Sequence, residues 1–261
     1  NYGDLHSMTE GYTIVIPARY ASSRFPGKPL QLLNGRPMLL HVIERAGEST
    51  ADRVVVATDD ERIVQLCQDA DTDVEMTRAD HPSGTDRIAE VAQRRGWHAD
   101  TRVVGLQGDE PATPAAHLDR LAANLLNNPD ANMATLSTPI TALADYQNPN
   151  RVKLVRDARG YAMYFSRAAI PWRRDAKEAS AYPDALLHVG LYAYRCDYLL
   201  NYSQLPACDI EQEEQLEQLR VLHHGGRIHV DVIDGMSVAG VDMPEDVANA
   251  EAALNSLEIK Q

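Results

Sequence analysis

Short runs rich in β-branched residues alternate with amphipathic stretches through the first half of the chain, and this alternation constrains the fold most strongly. The runs lie at 13–16, 53–57 and 102–106. Helical spacing of apolar residues follows at 37–48, 60–69, 84–95 and 114–127. Strands and helices that alternate in this way are typical of a parallel sheet with crossover helices. We therefore predict an α/β fold, a mainly parallel sheet with helices on both faces.

The alternation of strands and helices ends near residue 148, where strand-like runs follow one another without long helices between them. These runs lie at 151–156, 161–167 and 187–195, with a turn-like stretch at 157–160. A helix at 211–223, a strand at 227–233 and a last helix from Pro244 then return the chain to α/β order. We predict one domain over 8–261 with an antiparallel insertion at 148–210. Met8 is expected to be the natural first residue, and 1–7 an added extension.

The charge and cysteine content narrow the class of protein. A formal net charge of -13 argues against the basic surface that binds nucleic acid or an anionic membrane. The three cysteines form no C-x-x-C pair, so they predict reduced thiols and no zinc site. No apolar stretch reaches the roughly 20 residues of a membrane helix, and no signal peptide pattern is present. We expect a cytoplasmic protein whose ligands are small molecules.

A cationic loop, PARYASSRFPGKP at 17–29, follows the first strand. It holds Arg19, Arg24 and Lys28 together with Ser22, and it contains no acidic residue. A loop at the carboxyl end of a parallel strand lies where open α/β sheets bind ligands, and such cations can neutralise a triphosphate. It is not a P-loop, because proline follows the Gly-Lys pair. The alternative is an exposed loop whose cations only increase solubility.

Two acids follow strand-like runs and are candidate ligands of a magnesium ion. Asp109 lies in QGDEP, and Asp242 lies in GVDMPED before the last helix. Magnesium takes one or two carboxylates plus substrate phosphate oxygens. For Asp242, capping of the last helix is an equally supported alternative. A D-x-D pair, Asp71 and Asp73, lies between a helix and a strand, where an exposed turn is favoured over a metal site.

Small polar residues mark the start of the helix at 84–95, where main-chain N–H groups face outward. That geometry suits hydrogen bonds to the edge of a base, whereas helix capping by Ser83 or Thr85 is the simpler explanation. Farther along, His188 and Tyr192 share one face of a strand, so both are within reach of one ligand. Arg62, on the helix at 60–69, is predicted to be exposed and to have little functional effect.

Several of these segments resemble the 3-deoxy-manno-octulosonate cytidylyltransferases. The string IPARYASSRFPGKPL at 16–30 is similar to the opening signature of that family, and QGDEP and GVDMPED are similar to its metal-binding segments. Further matches at 77–87, 164–172, 188–195 and 216–220 extend the resemblance over nearly the whole chain. The resemblance implies a Rossmann-like nucleotide-diphospho-sugar transferase fold.

The resemblance also implies a reaction. CMP would pass from CTP to 3-deoxy-manno-octulosonate (Kdo), an acidic eight-carbon sugar, with release of pyrophosphate, for lipopolysaccharide core synthesis. Mg²⁺ would be held by Asp109 and Asp242, Arg19 and Lys28 would join them as catalytic residues, and the insertion would contribute to a homodimer. The expected CTP contacts are Ala18, Arg19, Ser22, Arg24, Lys28, Arg78, Ser83, Gly84 and Gln107. The expected sugar contacts are Arg167, His188, Tyr192, Glu217 and Gln218.

The chain departs from the family at CDIE (208–211), where S-P-L-E is usual, and at Met243, where threonine is common. Five acids lie within 209–217, which is more negative charge than an acidic sugar favours. One interpretation is an acidic first helical turn in solvent, with ordinary Kdo as the substrate. The other pairs Asp209 or Glu211 with the ammonium group of 8-amino-Kdo, a sugar that a subgroup of the family uses.

Two other functions remain open. A glycosyltransferase with a nucleotide-sugar donor would hold its metal on Asp71 or Asp73 and would release CMP. A nucleotide-binding regulator would bind CTP without releasing pyrophosphate.

Overall fold

The computed structural model describes residues 11–21, 25–172, 174, 182–234 and 240–258. Met8 and the extension predicted at 1–7 lie outside these residues. The strands are β1 (Thr13–Ala18), β2 (Leu32–Leu33), β3 (Arg36–Pro37), β4 (Arg53–Thr58), β5 (Val74–Met76), β6 (Arg102–Gly105), β7 (Met133–Ile140), β8 (Lys153–Arg156), β9 (Ala162–Ser166), β10 (Tyr182–Arg195) and β11 (Ile228–Val232). The α-helices are α1 (Met38–Gly47), α2 (Glu61–Asp69), α3 (Gly84–Arg94), α4 (Ala115–Asn127), α5 (Leu143–Gln147), α6 (Cys196–Tyr202), α7 (Asp209–Glu214), α8 (Gln218–His223) and α9 (Val247–Glu258). Short 3₁₀ helices cover Lys28–Leu30 and Pro244–Asp246.

The parallel part of the main sheet is built around β1. Within the described residues the sheet follows the order β11-β7-β10-β6-β1-β4-β5. β1 lies parallel to both β4 and β6, and β5 lies parallel to β4. The carboxyl ends of these four strands therefore share one edge of the sheet, and β1 is buried along its whole length. The predicted α/β fold with a mainly parallel sheet is confirmed.

The antiparallel part is centred on β10, which runs antiparallel to β6 on one side and to β7 on the other. β8 and β9 pair as a hairpin around the predicted turn at 157–160, and β8 also pairs with β10. β11 then lies parallel to β7. Residues 148–210 thus carry antiparallel strands, while their separate origin as an insertion stays a prediction.

Helices cover both faces of the sheet, as predicted. On one face α1, α2 and α4 pack through residues such as Leu39, Ile63 and Leu118. On the other face α3, α6 and α8 pack in the same way through a second set of buried apolar residues. Each such side chain contributes roughly 1.5–3 kcal/mol when it is fully buried. None of the helices in the described ranges has both the length and the apolar character that a membrane crossing requires.

Some boundaries differ from the prediction. The helix expected at 211–223 is two helices, α7 and α8, because Gln215 adopts a left-handed conformation with φ 53° and ends the first of them. The last helix begins at Val247, after a 3₁₀ turn. β7 was not predicted: its sequence, MATLSTPI, includes alanine and serine among its apolar residues, so the β-branched signal was weak.

Candidate active site

A cleft opens at the edge where the parallel strands end. Its walls come from the end of β1, the 3₁₀ turn after the cationic loop, the start of α3, the loop after β6, and the segment before α9. The lining residues are Pro17, Ala18, Arg19, Lys28, Pro29, His81, Ser83, Gly84, Arg87, Gln107, Gly108, Asp109 and Asp242. Eight of them are among the predicted site residues. Ser22 and Arg24, also predicted, lie outside the described residues.

The loop after β6 is held tightly against the end of β1. Gly108 donates its N–H to the Pro17 carbonyl at 3.2 Å. A Cβ at Gly108 would lie 3.0 Å from that carbonyl oxygen and 3.2 Å from the Ala18 Cβ, so a larger residue would force the two loops apart. Glycine therefore allows the close approach that brings Asp109 beside the cationic loop.

A second main-chain contact brings Asp242 to the same point. The N–H of Val241 donates to the Asp109 carbonyl at 2.8 Å, and a Cβ at Gly240 would lie 3.0 Å from that oxygen. Asp242 lies one residue before Met243, which is the N-cap of the 3₁₀ turn at Pro244–Asp246. Asp246, the last residue of that turn, accepts from the N–H groups of Asp242 (2.9 Å) and Met243 (2.8 Å). The N-cap position that the sequence left open for Asp242 is therefore that of Met243.

Lys28 joins these two carboxylates. Its Nζ lies 2.5 Å from Asp109 Oδ2 and 3.7 Å from Asp242 Oδ1, and the Lys28 side chain is largely buried. The three residues are 81 and more positions apart in the chain, so the fold alone brings them together. A cation in contact with both carboxylates identifies this point of the cleft as one that favours positive charge.

The pKa of Glu110 reflects the negative charge of the same two carboxylates. Burial, followed by repulsion from Asp109 and Asp242, raises the pKa of Glu110 to about 8. Asp109 and Asp242 are oxygen donors of the kind that Mg²⁺ prefers, and the ion takes its other ligands from substrate phosphates and water. Two carboxylates beside a cationic loop are the protein ligands that such an ion takes when phosphate oxygens supply others, so the residues present fit a magnesium ion that binds together with a phosphorylated substrate.

The start of α3 forms another wall. A Cβ at Gly84 would lie 3.1 Å from Gln107 Oε1 and 3.3 Å from its Nε2, so this glycine packs directly on the Gln107 amide. Ser83 caps the helix: its Oγ accepts from the Asp86 N–H at 3.2 Å and donates to Asp86 Oδ2 at 2.7 Å. The capping predicted for Ser83 is thus present. If Ser83 also binds a base, its hydroxyl must share its hydrogen bonds between Asp86 and the base.

Arg78 lies apart from the other predicted CTP contacts. Its guanidinium pairs with Asp80 at 2.8 Å, its side chain is mostly exposed, and it lines a neighbouring pocket instead of the cleft. Two cleft residues that sequence reasoning did not single out are His81, in contact with Glu90, and Arg87, which donates to Asp59 and Thr77. Arg87 follows Gly84 by three positions, so helical spacing was the signal that marked it.

A smaller pocket lies behind the start of α3. It brings together three predicted sugar residues, Tyr192, Glu217 and Gln218, with Thr85, Tyr194, Tyr202, Met133 and Val221. Thr85 Oγ1 lies 3.3 Å from the Tyr194 hydroxyl and 3.4 Å from Glu217 Oε2. Within the described part of the chain, Gln218 Nε2 is buried and has no hydrogen-bond partner. Burial, followed by repulsion from Asp86, raises the pKa of Glu217.

His188 and Arg167 lie beside this pocket with partners of their own. The His188 ring is within 5.3 Å of the Tyr192 ring, its Nε2 lies 3.0 Å from Thr135 Oγ1, and burial lowers its pKa to about 3. The imidazole is therefore neutral at physiological pH. The Arg167 guanidinium donates to main-chain carbonyls of Glu214 (2.6 Å), Gln215 (3.3 Å) and Pro149 (3.0 Å). Arg167 does not line the cleft or the smaller pocket described above, and its role in sugar binding stays a prediction.

The structure shows the surroundings of the two acids at 208–211, the segment that departs from the family. The Glu211 carboxylate accepts from Arg220 at 2.8 and 2.5 Å, so it is already neutralised inside the protein. Asp209 is exposed at the first position of α7. Of the two acids that were candidates to pair with an ammonium group, Asp209 is therefore the one that stays a candidate.

The D-x-D pair lies at the opposite edge of the sheet, before β5. Asp71 sits in the turn after α2 with φ 51°, and Arg95 holds Asp73 through two hydrogen bonds of 2.6 and 2.8 Å. This is the turn that the sequence favoured. Arg62 is exposed as predicted, yet it also contacts the cationic loop, since its guanidinium carbon lies 3.4 Å from the centre of the Tyr20 ring.

Known proteins share both the sequence and this architecture. The sequence pattern of the cytidylyltransferase family matches residues 13–228. The 3-deoxy-manno-octulosonate cytidylyltransferase of Pseudomonas fluorescens is 48% identical over 95% of this chain and 100% of its own, and that of Alkalilimnicola ehrlichii is 51% identical over 95% and 97%. A solved CMP:2-keto-3-deoxy-manno-octonic acid synthetase in complex with CTP is similar with a TM-score of 0.87 and 43% identity, over 95% of this chain and 99% of its own. This chain therefore belongs to the 3-deoxy-manno-octulosonate cytidylyltransferase family of nucleotidyltransferases.

Proposed function

We propose that the chain joins the CMP half of CTP to 3-deoxy-manno-octulosonate and releases pyrophosphate. The observation that carries the proposal is the contact of Lys28 with both Asp109 and Asp242 in a cleft at the carboxyl edge of the sheet. That arrangement supports binding of a triphosphate with a divalent cation. The similar solved structure is complexed with CTP, which supports the same ligand for this cleft.

The charged groups of the cleft are assigned to the triphosphate. Arg19 and Lys28 neutralise phosphate oxygens, and Asp109 and Asp242 hold Mg²⁺. When bound, Mg²⁺ withdraws charge from phosphate oxygens and lowers the pKa of a coordinated hydroxyl. Lys28 leaves its contact with the carboxylates to reach the phosphates, since its four-carbon side chain allows that movement.

The base lies against the start of α3. Gln107 and Gly84 are in contact there, and this eleven-residue helix, whose first N–H groups have no partner within the helix, begins at the cleft wall. These groups are suited to the hydrogen-bonding edge of cytosine. Arg78 is retained as a base contact only if its exposed pair with Asp80 opens when the nucleotide binds.

The sugar is placed against the pocket of Tyr192, Glu217 and Gln218, which by its size admits only part of an eight-carbon sugar. The Gln218 Nε2, which has no partner among the described residues, and the tyrosine hydroxyls suit a polyol, because each can form hydrogen bonds with sugar hydroxyls. Neutral His188 supports Tyr192 from beside the pocket. Ordinary Kdo is the proposed substrate, and Asp209 is the residue that would recognise an 8-amino group. A competition between Kdo and 8-amino-Kdo in wild type and in Asp209→Asn decides between the two sugars.

A homodimer is also proposed. Two large apolar side chains in the stretch 148–210, Met163 and Trp172, are 64% and 81% exposed. Exposed apolar groups of this size favour a protein interface. Light scattering of wild type against Met163→Asp with Trp172→Asp tests the proposal, and an unchanged mass in the double variant would contradict it.

The direct test of function is an assay of pyrophosphate release over CTP, UTP and ATP, each with Kdo and Mg²⁺. We expect release with CTP and Kdo together, and none when either is omitted. Release of CMP from a nucleotide sugar would indicate a glycosyltransferase instead. CTP binding without pyrophosphate release would indicate the regulator.

A further inference from the structure

Arg62 is fixed over an aromatic ring of the cationic loop. Its guanidinium carbon lies 3.4 Å from the centre of the Tyr20 ring, a short cation–π contact. Asp60 holds the guanidinium in this place, because Arg62 Nε donates to Asp60 Oδ1 at 2.8 Å and a terminal nitrogen donates to Oδ2 at 2.6 Å. Asp60 also caps α2 by accepting from the Arg62 N–H at 3.0 Å. The arginine is therefore tied to a rigid helix start.

Tyr20 in turn holds the residue before Lys28. Its carbonyl accepts from the Gly27 N–H at 3.0 Å, and a Cβ at Gly27 would lie 3.1 to 3.2 Å from the phenol ring. Gly27 has φ 72°, a conformation that glycine adopts without strain, and it begins the 3₁₀ turn that carries Lys28. The position of the Tyr20 ring thus sets where this turn starts.

Lys28 reaches Asp109 from that turn at 2.5 Å. A continuous set of contacts consequently links Asp60, Arg62, Tyr20 and Gly27 to Lys28. We infer that Asp60 and Arg62 are positioning residues for Lys28: they clamp Tyr20 and so hold the loop in the geometry that presents the lysine ammonium to the triphosphate. The inference rests on the proposed function.

The test compares Arg62→Ala with Arg53→Ala, an equally charged change at an exposed residue that starts β4. We expect Arg62→Ala to raise KM for CTP and lower kcat/KM about three- to tenfold, with kcat and the urea midpoint nearly unchanged. Asp60→Asn should give a similar but smaller effect, and Arg62→Lys, which keeps a cation over the ring, should restore most of the loss. Arg53→Ala should change kcat/KM less than twofold.

A double variant separates positioning from general charge. In the Tyr20→Leu background, Arg62→Ala should add almost nothing, because the ring through which it acts is gone. Equal effects of Arg62→Ala and Arg53→Ala, or full additivity with Tyr20→Leu, would overturn the inference. Calorimetric titration with CTP gives a second readout that does not need turnover. If wild type binds CTP but releases no pyrophosphate, the proposed function fails, while the same variants still test the clamp through the dissociation constant.

Discussion

The proposed CTP cleft and the proposed sugar pocket meet at the start of α3, yet they are built in opposite ways. The cleft collects loops at the ends of β1 and β6, and its decisive groups, Lys28, Asp109 and Asp242, are charged and partly exposed. The proposed sugar pocket is lined mostly by buried side chains of distant segments, among them Tyr194 of β10 and Gln218 of α8. In the proposed function the first region neutralises phosphate charge, and the second provides shape and hydrogen bonds to the sugar. Substitutions should therefore act on rate in the cleft and on sugar affinity in the pocket.

The largest effect is expected from the two aspartates. Asp109→Ala and Asp242→Ala each remove a carboxylate from the proposed metal site, and each should reduce kcat on the order of a thousandfold or more at saturating Mg²⁺. Folding should persist, as measured by circular dichroism and urea unfolding. Asp71→Ala, in the exposed turn after α2, is the matched control and should keep full activity. Near-normal turnover in either cleft variant would remove that residue from the mechanism.

Lys28→Ala is expected to have the next largest effect. Removal of one cation that meets the triphosphate should lower kcat/KM about a hundredfold, and Arg19→Ala should lower it by a similar or smaller factor. Arg53→Ala is the control, because Arg62, which the sequence predicted to have little functional effect, contacts the cationic loop. Equal losses in all three variants would show that the effect is general electrostatics.

Base selection can be weakened without removing a polar group. In Gly84→Ala the new Cβ would lie 3.1 Å from Gln107 Oε1, so the amide must shift. We expect the preference for CTP over UTP, measured as a ratio of kcat/KM, to fall about tenfold. Gly47→Ala, at a helix glycine with open space around it, is the control. An unchanged ratio in Gly84→Ala would show that this wall of the cleft does not recognise the base.

In the sugar pocket, Gln218→Ala should affect affinity instead of rate. Loss of the amide should raise KM for Kdo about tenfold and leave KM for CTP within twofold of wild type. Initial-rate kinetics with each substrate varied in turn measure both constants. If KM for CTP rose as much as KM for Kdo, the division between the two regions would be wrong.

The smallest effect concerns stability. Because burial lowers the pKa of His188 to about 3, the folded protein keeps this imidazole neutral while the unfolded chain takes up a proton near pH 6.5. The stability that the protein has with this imidazole neutral is fully present above pH 6.5 and is lost as the pH falls from 6.5 towards 3. From pH 7 to 5.5 the free energy of unfolding should fall about 1 kcal/mol more in wild type than in His188→Gln. His98→Gln, at an exposed histidine, should behave as wild type in urea titrations.

More of the cleft than of the sugar pocket could be predicted from the sequence. Asp109 and the cationic loop each follow a strand of the predicted parallel sheet, so both could be placed at the carboxyl edge of that sheet. The hydrogen bond between Val241 and Asp109 could not be predicted, because a main-chain hydrogen bond between residues 132 positions apart leaves no local pattern in the sequence. The sugar residues could be named only by resemblance. The neutralisation of Glu211 by Arg220 and the contact of Arg62 with Tyr20 depend on tertiary packing, which composition and spacing do not encode.

The central claim is that Asp109 and Asp242 together form a divalent-metal site that operates with CTP. The most direct measurement is binding of Mn²⁺, observed by electron paramagnetic resonance, with and without CTP, in wild type and in the variant that carries both Asp109→Ala and Asp242→Ala. Wild type should bind Mn²⁺ at least tenfold more tightly when CTP is present, since phosphate oxygens complete the coordination. The double variant should lose that protein-bound signal while the Mn²⁺–CTP complex in solution remains. An unchanged protein-bound signal in the double variant would contradict the account.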